Sequence, residues 1–367
     1  MKYYIIAGEA SGDLHASNLM KALLKEDAKA EFRFWGGDLM QAVGGALVKH
    51  YKERAFMGFT EVILNLRKIF GLISFCKKDI SQYQPDNLIF IDNSGFNLRI
   101  AKWAKKQGFK TNYYISPQVW ASRAGRIKAI KRDIDHMYVI LPFETEFYKK
   151  HGYNATFVGH PLLDAIANKL TFNENEFRKE HNLSEKQIIA LLPGSRKQEI
   201  TKMLSVMLKI SSKFTDFQFV IAGAPSQDHS FYKTFISNEN VKIIDNKTYD
   251  LLSISYAALV TSGTATLETA LFKVPQVVCY RAGNLSYQIA KRIITLKFIS
   301  LVNLIMDHEV VTELIQRDFN GKRLEQELTR ILNETHRKKL FLEYNKLEQK
   351  LGGKGASTKT AQLIFNS

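Results

Sequence analysis

Short apolar runs that show no alternation of polarity recur along this chain, each followed by a helical segment. Ile188-Ile189-Ala190-Leu191-Leu192 and Ala257-Ala258-Leu259-Val260 are the clearest. A strand with one wet face alternates; a strand buried on both faces does not, so these runs predict a parallel sheet covered by helices. In the first half, Tyr3–Ala7, Phe32–Trp35, Asn87–Asp92, Thr111–Ile115, Met137–Leu141 and Thr156–Val158 read as strands. In the second, Ile188–Leu192, Gln218–Ala222, Val241–Ile244, Ala257–Val260 and Gln276–Tyr280 do. Strands alternating with helices predict an α/β chain of doubly wound sheets. Between the two sets lies a polar, Asn- and Glu-rich stretch from Leu170 to Leu183, the best candidate for a linker. The length of 367 residues exceeds what one hydrophobic core usually serves. Two Rossmann-like domains are expected, 1–169 and 170–345. A helical tail, 346–367, would cross back to the first domain or exchange between protomers.

Composition narrows the classes. Apolar residues at 45% and only 7 prolines, nearly all at strand ends or in loops, exclude a disordered chain. The N-terminus enters a strand directly, with no basic region, apolar segment and cleavage site, so export by that route is not expected. Cys76 and Cys279 form neither a CxxC pair nor a disulfide framework, which suits a reducing compartment. The formal charge of +16 favours anionic partners. No helix-turn-helix, zinc-finger or RNP-like pattern accompanies it, so nucleic acid is not expected. An anionic membrane, a phosphorylated lipid or a plain solvated surface each account for the charge.

The turns after the strands carry the chemistry. Leu192-Pro193-Gly194-Ser195-Arg196 and Thr261-Ser262-Gly263-Thr264-Ala265-Thr266-Leu267-Glu268 each open a helix. A helix N-terminus presents unpaired N–H groups and the positive end of its dipole to an anion. Arg196 suits a diphosphate and Glu268 a pair of sugar hydroxyls, a combination that fits a nucleotide. A third elbow, Ala7-Gly8-Glu9-Ala10-Ser11-Gly12-Asp13, allows close approach at its glycines, with Ser11 or Asp13 available to cap the helix. It lacks the GxGxxG spacing, and no Walker lysine motif occurs anywhere in the chain. Asp92 ends a strand and leads into Asn93-Ser94-Gly95-Phe96-Asn97, a place from which a carboxylate either accepts a proton or caps the next helix. No DxD pair or His/Cys cluster calls for a metal.

Two segments are unusually apolar. In Phe56 to Lys78, a seam of Phe59, Ile63, Leu66, Phe70 and Ile73 follows helical spacing. Leu285 to Met306 carries Lys291, Arg292 and Lys297 in a similar background. Charges interrupt both before about 20 apolar residues accumulate, so neither is a transmembrane helix. Each is a core-facing helix, an interfacial seat or an apolar substrate groove.

Taken in order, the motifs resemble the bacterial lipid-A-disaccharide synthases, inverting glycosyltransferases of GT-B architecture. The likeness runs through Gly8 to Asp13, Met57-Gly58-Phe59, Asp92 to Asn97, Ser116-Pro117-Gln118-Val119-Trp120-Ala121 and Leu141-Pro142-Phe143-Glu144. It continues through Gly159-His160-Pro161, Pro193 to Arg196, Ser262 to Glu268 and Tyr280-Arg281. The chain departs from the family pattern at Ser94 and Gly95, where a proline and a second aspartate are usual, and at Ser122, where a tryptophan is.

The resemblance implies two Rossmann-like domains facing across a cleft and no cofactor. It also implies transfer of 2,3-diacylglucosamine from UDP-2,3-diacylglucosamine to the 6-hydroxyl of 2,3-diacylglucosamine 1-phosphate (lipid X). The implied catalytic set is Asp92 as general base, with Glu9, Ser11 and Asp13 from the first elbow. The implied UDP-sugar set is Pro193, Gly194, Ser195, Arg196, Glu199, Ser262, Gly263, Thr264, Thr266, Glu268 and Arg281. A peripheral seat on the cytoplasmic face of an anionic inner membrane is expected, with a homodimer as one arrangement. The rival readings are another UDP-sugar enzyme, such as a 2-epimerase or a peptidoglycan lipid-intermediate transferase, and a basic membrane-binding protein without catalysis.

Overall fold

A computed structural model describes residues 1–54, 66–122, 124–167, 173–283 and 297–367. Met57, Gly58, Phe59, Ile63, Lys291 and Arg292 lie outside the described residues, so part of both apolar segments does too. The chain divides into two compact units, Met1–Ala167 with Leu351–Ser367, and Asn168–Lys350.

The first unit holds a seven-stranded sheet: β1 Lys2–Ala7, β2 Glu31–Gly36, β3 Ala46–His50, β4 Asn87–Ile91, β5 Thr111–Tyr114, β6 His136–Val139 and β7 Thr156–Phe157. Their order is β3-β2-β1-β4-β5-β6-β7, and every pairing is parallel. Side chains of β1 alternate between two apolar clusters: Tyr4 and Ile6 join one, Tyr3, Ile5 and Ala7 the other. Both faces are therefore buried, which is why the run shows no polar alternation.

The second unit repeats the plan with β8 Gln187–Leu192, β9 Phe217–Gly223, β10 Val241–Asp245, β11 Ser255–Thr261, β12 Gln276–Tyr280 and β13 Glu313–Ile315. Its order is β10-β9-β8-β11-β12-β13, again all parallel. Counted from the start of each unit, the first six strands follow one order, 3-2-1-4-5-6. That is the doubly wound arrangement whose crevice opens beside the first and fourth strands.

Two edge strands, β3 and β13, add to those expected from the sequence. β3 is only half buried and β13 spans three residues, so neither produces a continuous apolar run. Part of the expected linker is a helix, Glu174–Glu180, whose Asn173 side chain caps it through the amides of Asn175 and Glu176. Phe177 on that helix joins the core of the second unit, so this part of the stretch is packed structure.

The helix Leu66–Tyr83 divides the described part of the expected seam, burying Ile73 and exposing Phe70. Ile73, Cys76 and Ile80 point inward with Ile69 and Leu72 beside them, whereas Phe70 is 61% exposed. Its Asp79 fastens this helix to the sheet by accepting two hydrogen bonds from Arg33 and one, at 2.7 Å, from Tyr4.

The Gly159-His160-Pro161 motif lies under the C-terminal tail. The His160 amide donates to the Leu351 carbonyl, and the Asp164 carboxylate accepts from the amides of Gly355 and Ser357 at 2.6 and 3.0 Å. The tail helix Ala356–Phe365 then adds Ala361 and Ile364 to the first unit's core. His15 and His160 are buried here, and desolvation holds their pKa values down at about 4 and about 3.

Candidate active site

In the first unit, the elbows after β1 and β4 touch. A side chain at Gly8 would place its Cβ 2.2 Å from the Asn93 amide nitrogen, so only glycine permits this approach. Asp92 and Asn93 both sit at φ +43°, a left-handed backbone that costs energy outside glycine, and nearby Ile115 sits at +65°. Side chains hold this geometry in place. The Asn97 amide donates to the carbonyls of Ile6, Ile91 and Asp92, at 2.9 Å for the last, and the Tyr113 hydroxyl also donates to the Asp92 carbonyl. Strain of this kind gathers where a site must hold a particular geometry.

Asp92 opens on a cavity of about 260 Å³ whose lining includes Ser94, Ser116, Gln118, Leu141 and Glu144. Three motifs far apart in the chain thus meet at one pocket. The residue is exposed at this opening, and the protein mass around its carboxyl, reinforced by the charge of Glu9, raises its pKa from the usual 3.8 to about 6, against a hydrogen bond from the Asn93 backbone. Asp92 does not cap the following helix: Asn93 is the N-cap, and no side-chain bond is made there.

Glu144 is almost fully buried and accepts from the amides of Leu141 and Ile140 at 3.0 and 3.3 Å. Burial pushes its carboxyl up to about 7. Ser116 Oγ lies 2.9 Å from the Tyr148 hydroxyl. The motifs of Ser116 and Glu144 stand out in the sequence, but nothing there assigns either residue a role. Asn97 and Tyr113 carry no local signal, because their partners are backbone carbonyls of β1 and of the end of β4, which the sequence does not pair with them.

The first elbow divides its residues. Glu9 is exposed at the helix N-cap without a side-chain capping bond, and Ser11 is exposed two residues on, in the first turn. Asp13 faces away from the pocket. Its two oxygens accept from the amides of Gly37, Leu39 and Met40 at 2.7, 3.0 and 3.1 Å. The carboxylate caps the next helix, Asp38–Val43, whose own N-cap Gly37 has no side chain to offer. Asp13 is a remote cap of that helix.

In the second unit, β8 leads into Pro193, and Gly194 turns the chain at φ +102°. Ser195 and the N-cap Arg196 are exposed, and the helix Lys197–Met207 follows. Glu199 folds back on this turn, accepting the Ser195 amide at 3.2 Å. Ser226 and Gln227 brace the same turn through the Ser195 carbonyl.

After β11, the Ser262 hydroxyl donates to the Ile299 carbonyl, while Gly263 and the exposed Thr264 open the helix Thr264–Leu271. Thr266 is fully buried, and its hydroxyl donates back to the Gly263 carbonyl at 2.8 Å. It serves the turn. Glu268, on the same helix, accepts from the Tyr249 hydroxyl at 2.9 Å. The Arg281 guanidinium stacks on the Phe319 ring and donates to the carbonyls of Gln316 and Phe319, which commits it to holding the loop after β13.

Among the described residues, no group of three or more His, Cys, Asp or Glu side chains is placed to hold a metal ion. None of their helices is long and apolar enough to cross a membrane.

Two parallel doubly wound units, one with a confined carboxylate at its strand ends and the other with open helix N-termini there, define an α/β enzyme of the GT-B class. The solved structures like this one share that fold. A UDP-GlcNAc 2-epimerase from Neisseria meningitidis superposes with a TM-score of 0.71 at 12% identity, covering all of both chains. The glycotransferase of kitacinnamycin gives 0.65 at 11%, covering 99% of this chain and 98% of that one. Sequence decides the family. The family model of lipid-A-disaccharide synthetase matches residues 3–365. A lipid-A-disaccharide synthase from Syntrophus aciditrophicus is 40% identical over 98% of this chain and 96% of its own. One from Coxiella burnetii is 37% identical over 99% and 97%. The chain belongs to the lipid-A-disaccharide synthase family.

Proposed function

We propose that this protein transfers 2,3-diacylglucosamine from its UDP ester to the 6-hydroxyl of 2,3-diacylglucosamine 1-phosphate, giving a β-1,6-linked tetraacyl disaccharide phosphate and UDP. The observation that carries this reading is the meeting of three family motifs at the strained pocket of Asp92.

A sugar hydroxyl is a poor nucleophile at neutral pH. Asp92 takes its proton as the new bond to the anomeric carbon forms. A base with a pKa near 6 is ionised at pH 7 and still basic enough to be useful. UDP departs carrying charge, which Arg196 and the amides that open the helix Thr264–Leu271 stabilise where it develops. Glu268 accepts from the ribose hydroxyls. Glu9, beside Asp92, keeps the carboxylate's pKa raised.

Both substrates carry acyl chains. The charge of +16, and Phe70 exposed beside the exposed Arg67 and Lys68, support a seat on the anionic cytoplasmic face of the inner membrane.

Incubation of the protein with both substrates, followed by mass analysis of the lipid, tests the reading. Equal amounts of disaccharide phosphate and UDP are expected. An epimerised UDP-sugar, or no turnover of either substrate, would sink it.

A further inference from the structure

We propose that Tyr249 is a positioning residue of the donor site, holding the Glu268 carboxylate where it reads a ribose diol and so setting a preference for ribonucleotides over deoxyribonucleotides. The inference rests on the reading of Glu268 given above and adds a residue that no motif contains.

Tyr249 lies on the short helix Thr248–Ser253, 19 residues before Glu268 and in the preceding crossover of the sheet. It is joined to the Glu268 helix twice. Its hydroxyl donates to Glu268 Oε1 at 2.9 Å, and its ring packs on Phe272, the residue that ends that helix, with centroids 5.2 Å apart. Ring and hydroxyl are therefore placed by the same element they act on. Burial holds the phenol far above its ordinary pKa, so it remains a donor throughout the working range. Burial also raises the Glu268 pKa, and the Tyr249 hydrogen bond opposes that rise, favouring the ionised form that a diol needs as acceptor.

A carboxylate offers about four lone-pair positions on two oxygens. Among the described residues, the Tyr249 hydroxyl is the one side-chain donor to Glu268, so both oxygens keep capacity to accept. What the phenol removes is rotational freedom. A glutamate free to turn must be frozen at binding, and it can also turn away when a hydroxyl is missing. A glutamate held in place cannot, so a deoxyribose leaves an acceptor facing nothing. Sites that hydrogen-bond a hydroxyl reject an analogue lacking it for this reason. Tyr249 thus acts on discrimination as well as affinity.

The test is calorimetric titration of UDP and 2′-deoxy-UDP into wild type, Tyr249→Phe, Glu268→Ala and the double variant. Phenylalanine keeps the ring on Phe272, and the ratio of the two affinities cancels any loss of folded protein. Wild type is expected to prefer UDP by about tenfold or more, the scale of one hydrogen bond to a charged group. Glu268→Ala should bring the ratio near one, and the double variant should match it. Tyr249→Phe should cut the preference to about threefold, roughly half of that free energy, and raise the donor KM by more than it lowers kcat. Full wild-type preference in Tyr249→Phe, with the preference lost in Glu268→Ala, overturns the proposal and leaves the ribose reading intact. A preference that survives in Glu268→Ala overturns the ribose reading, and the proposal with it.

Discussion

The elbows after β1 and β4 in the first unit and after β8 and β11 in the second occupy the same places in sheets of the same strand order. Their chemistry is opposite. The first pair brings Glu9 and Asp92 together on a backbone where non-glycine residues take positive φ, held by Asn97 and Tyr113. The second pair leaves its bend to Gly194, exposes Arg196 and opens a helix N-terminus at Thr264. Topology sets where a ligand lies in such a sheet, and the side chains on the turns decide whether the place takes a proton or an anion. Asn97 and Tyr113 hold the strained elbow where non-glycine residues take the bend, whereas glycine takes the bend of the other and Glu199, Ser226 and Gln227 brace it. That contrast can be tested unit by unit.

The largest effect should come from Asp92. Asp92→Asn keeps the shape but cannot take a proton, so single-turnover transfer should fall by about 10²–10⁴-fold, with UDP affinity unchanged. The wild-type rate should rise with pH through about 6, because Asp92 acts as carboxylate and its pKa is raised to that value. The variant should lack this limb. Near-normal transfer by Asp92→Asn, with collapse in Glu9→Gln, would move the base to the first elbow.

Acid should act on the first unit next. His15 and His160 are held neutral at pKa values of about 4 and about 3, below the ordinary 6.5. At these two sites the unfolded chain binds more protons, so their contribution to stability is full above pH 6.5 and is lost as pH falls toward 4, while Asp92 and Glu144, raised to about 6 and about 7 in the same unit, bind protons more tightly when folded and oppose that loss. The histidine part is on the order of a few kcal/mol, because each tenfold weakening of proton affinity on folding is worth about 1.4 kcal/mol. His160→Gln should therefore lose less stability than wild type between about pH 7 and pH 4.5, read by hydrogen exchange at the C-terminal tail. An identical pH dependence in His160→Gln and wild type would refute the assignment.

Ligand binding should separate the two units. Arg196→Ala and Glu268→Ala should each weaken UDP binding by about 1.5–3 kcal/mol, while Asp92→Asn leaves it alone. Wild-type affinity in both would remove UDP from the second unit's turns.

The smallest effect on stability should come from Phe70, on the exposed face of the helix Leu66–Tyr83. Phe70→Ser should change the melting free energy by no more than about 0.5 kcal/mol, as exposed positions do, while lowering partition onto anionic vesicles. Ile73→Ala, on the buried face, should cost about 2–5 kcal/mol. Unchanged partition by Phe70→Ser would end the argument for a membrane seat at this helix.

Much of this was legible from residue order alone. Apolar runs without alternation located eleven of the strands and the restart of the pattern, because burial on both faces is written into consecutive positions. The turns at Gly8, Asp92, Gly194 and Gly263 were legible for the same local reason, and so was the family. What the sequence by itself could not determine was the use of each side chain. Asp13 looks like a cap for its own helix, yet its carboxylate satisfies amides 24 to 27 residues away. Thr266 stands in the implied UDP-sugar set, and the fold shows its hydroxyl closing the turn. The helix from Leu66 to Tyr83 carries Phe70 and Phe75 beside the Ile73 stripe, so only packing against the sheet decided that Ile73 is buried and Phe70 is not. Glu144, Ser116 and Asp92 became one pocket only when β4, β5 and β6 paired. Periodicity records the average environment of a segment, whereas hydrogen-bond partners and shared pockets depend on contacts between residues far apart in the chain, which only the folded sheet creates.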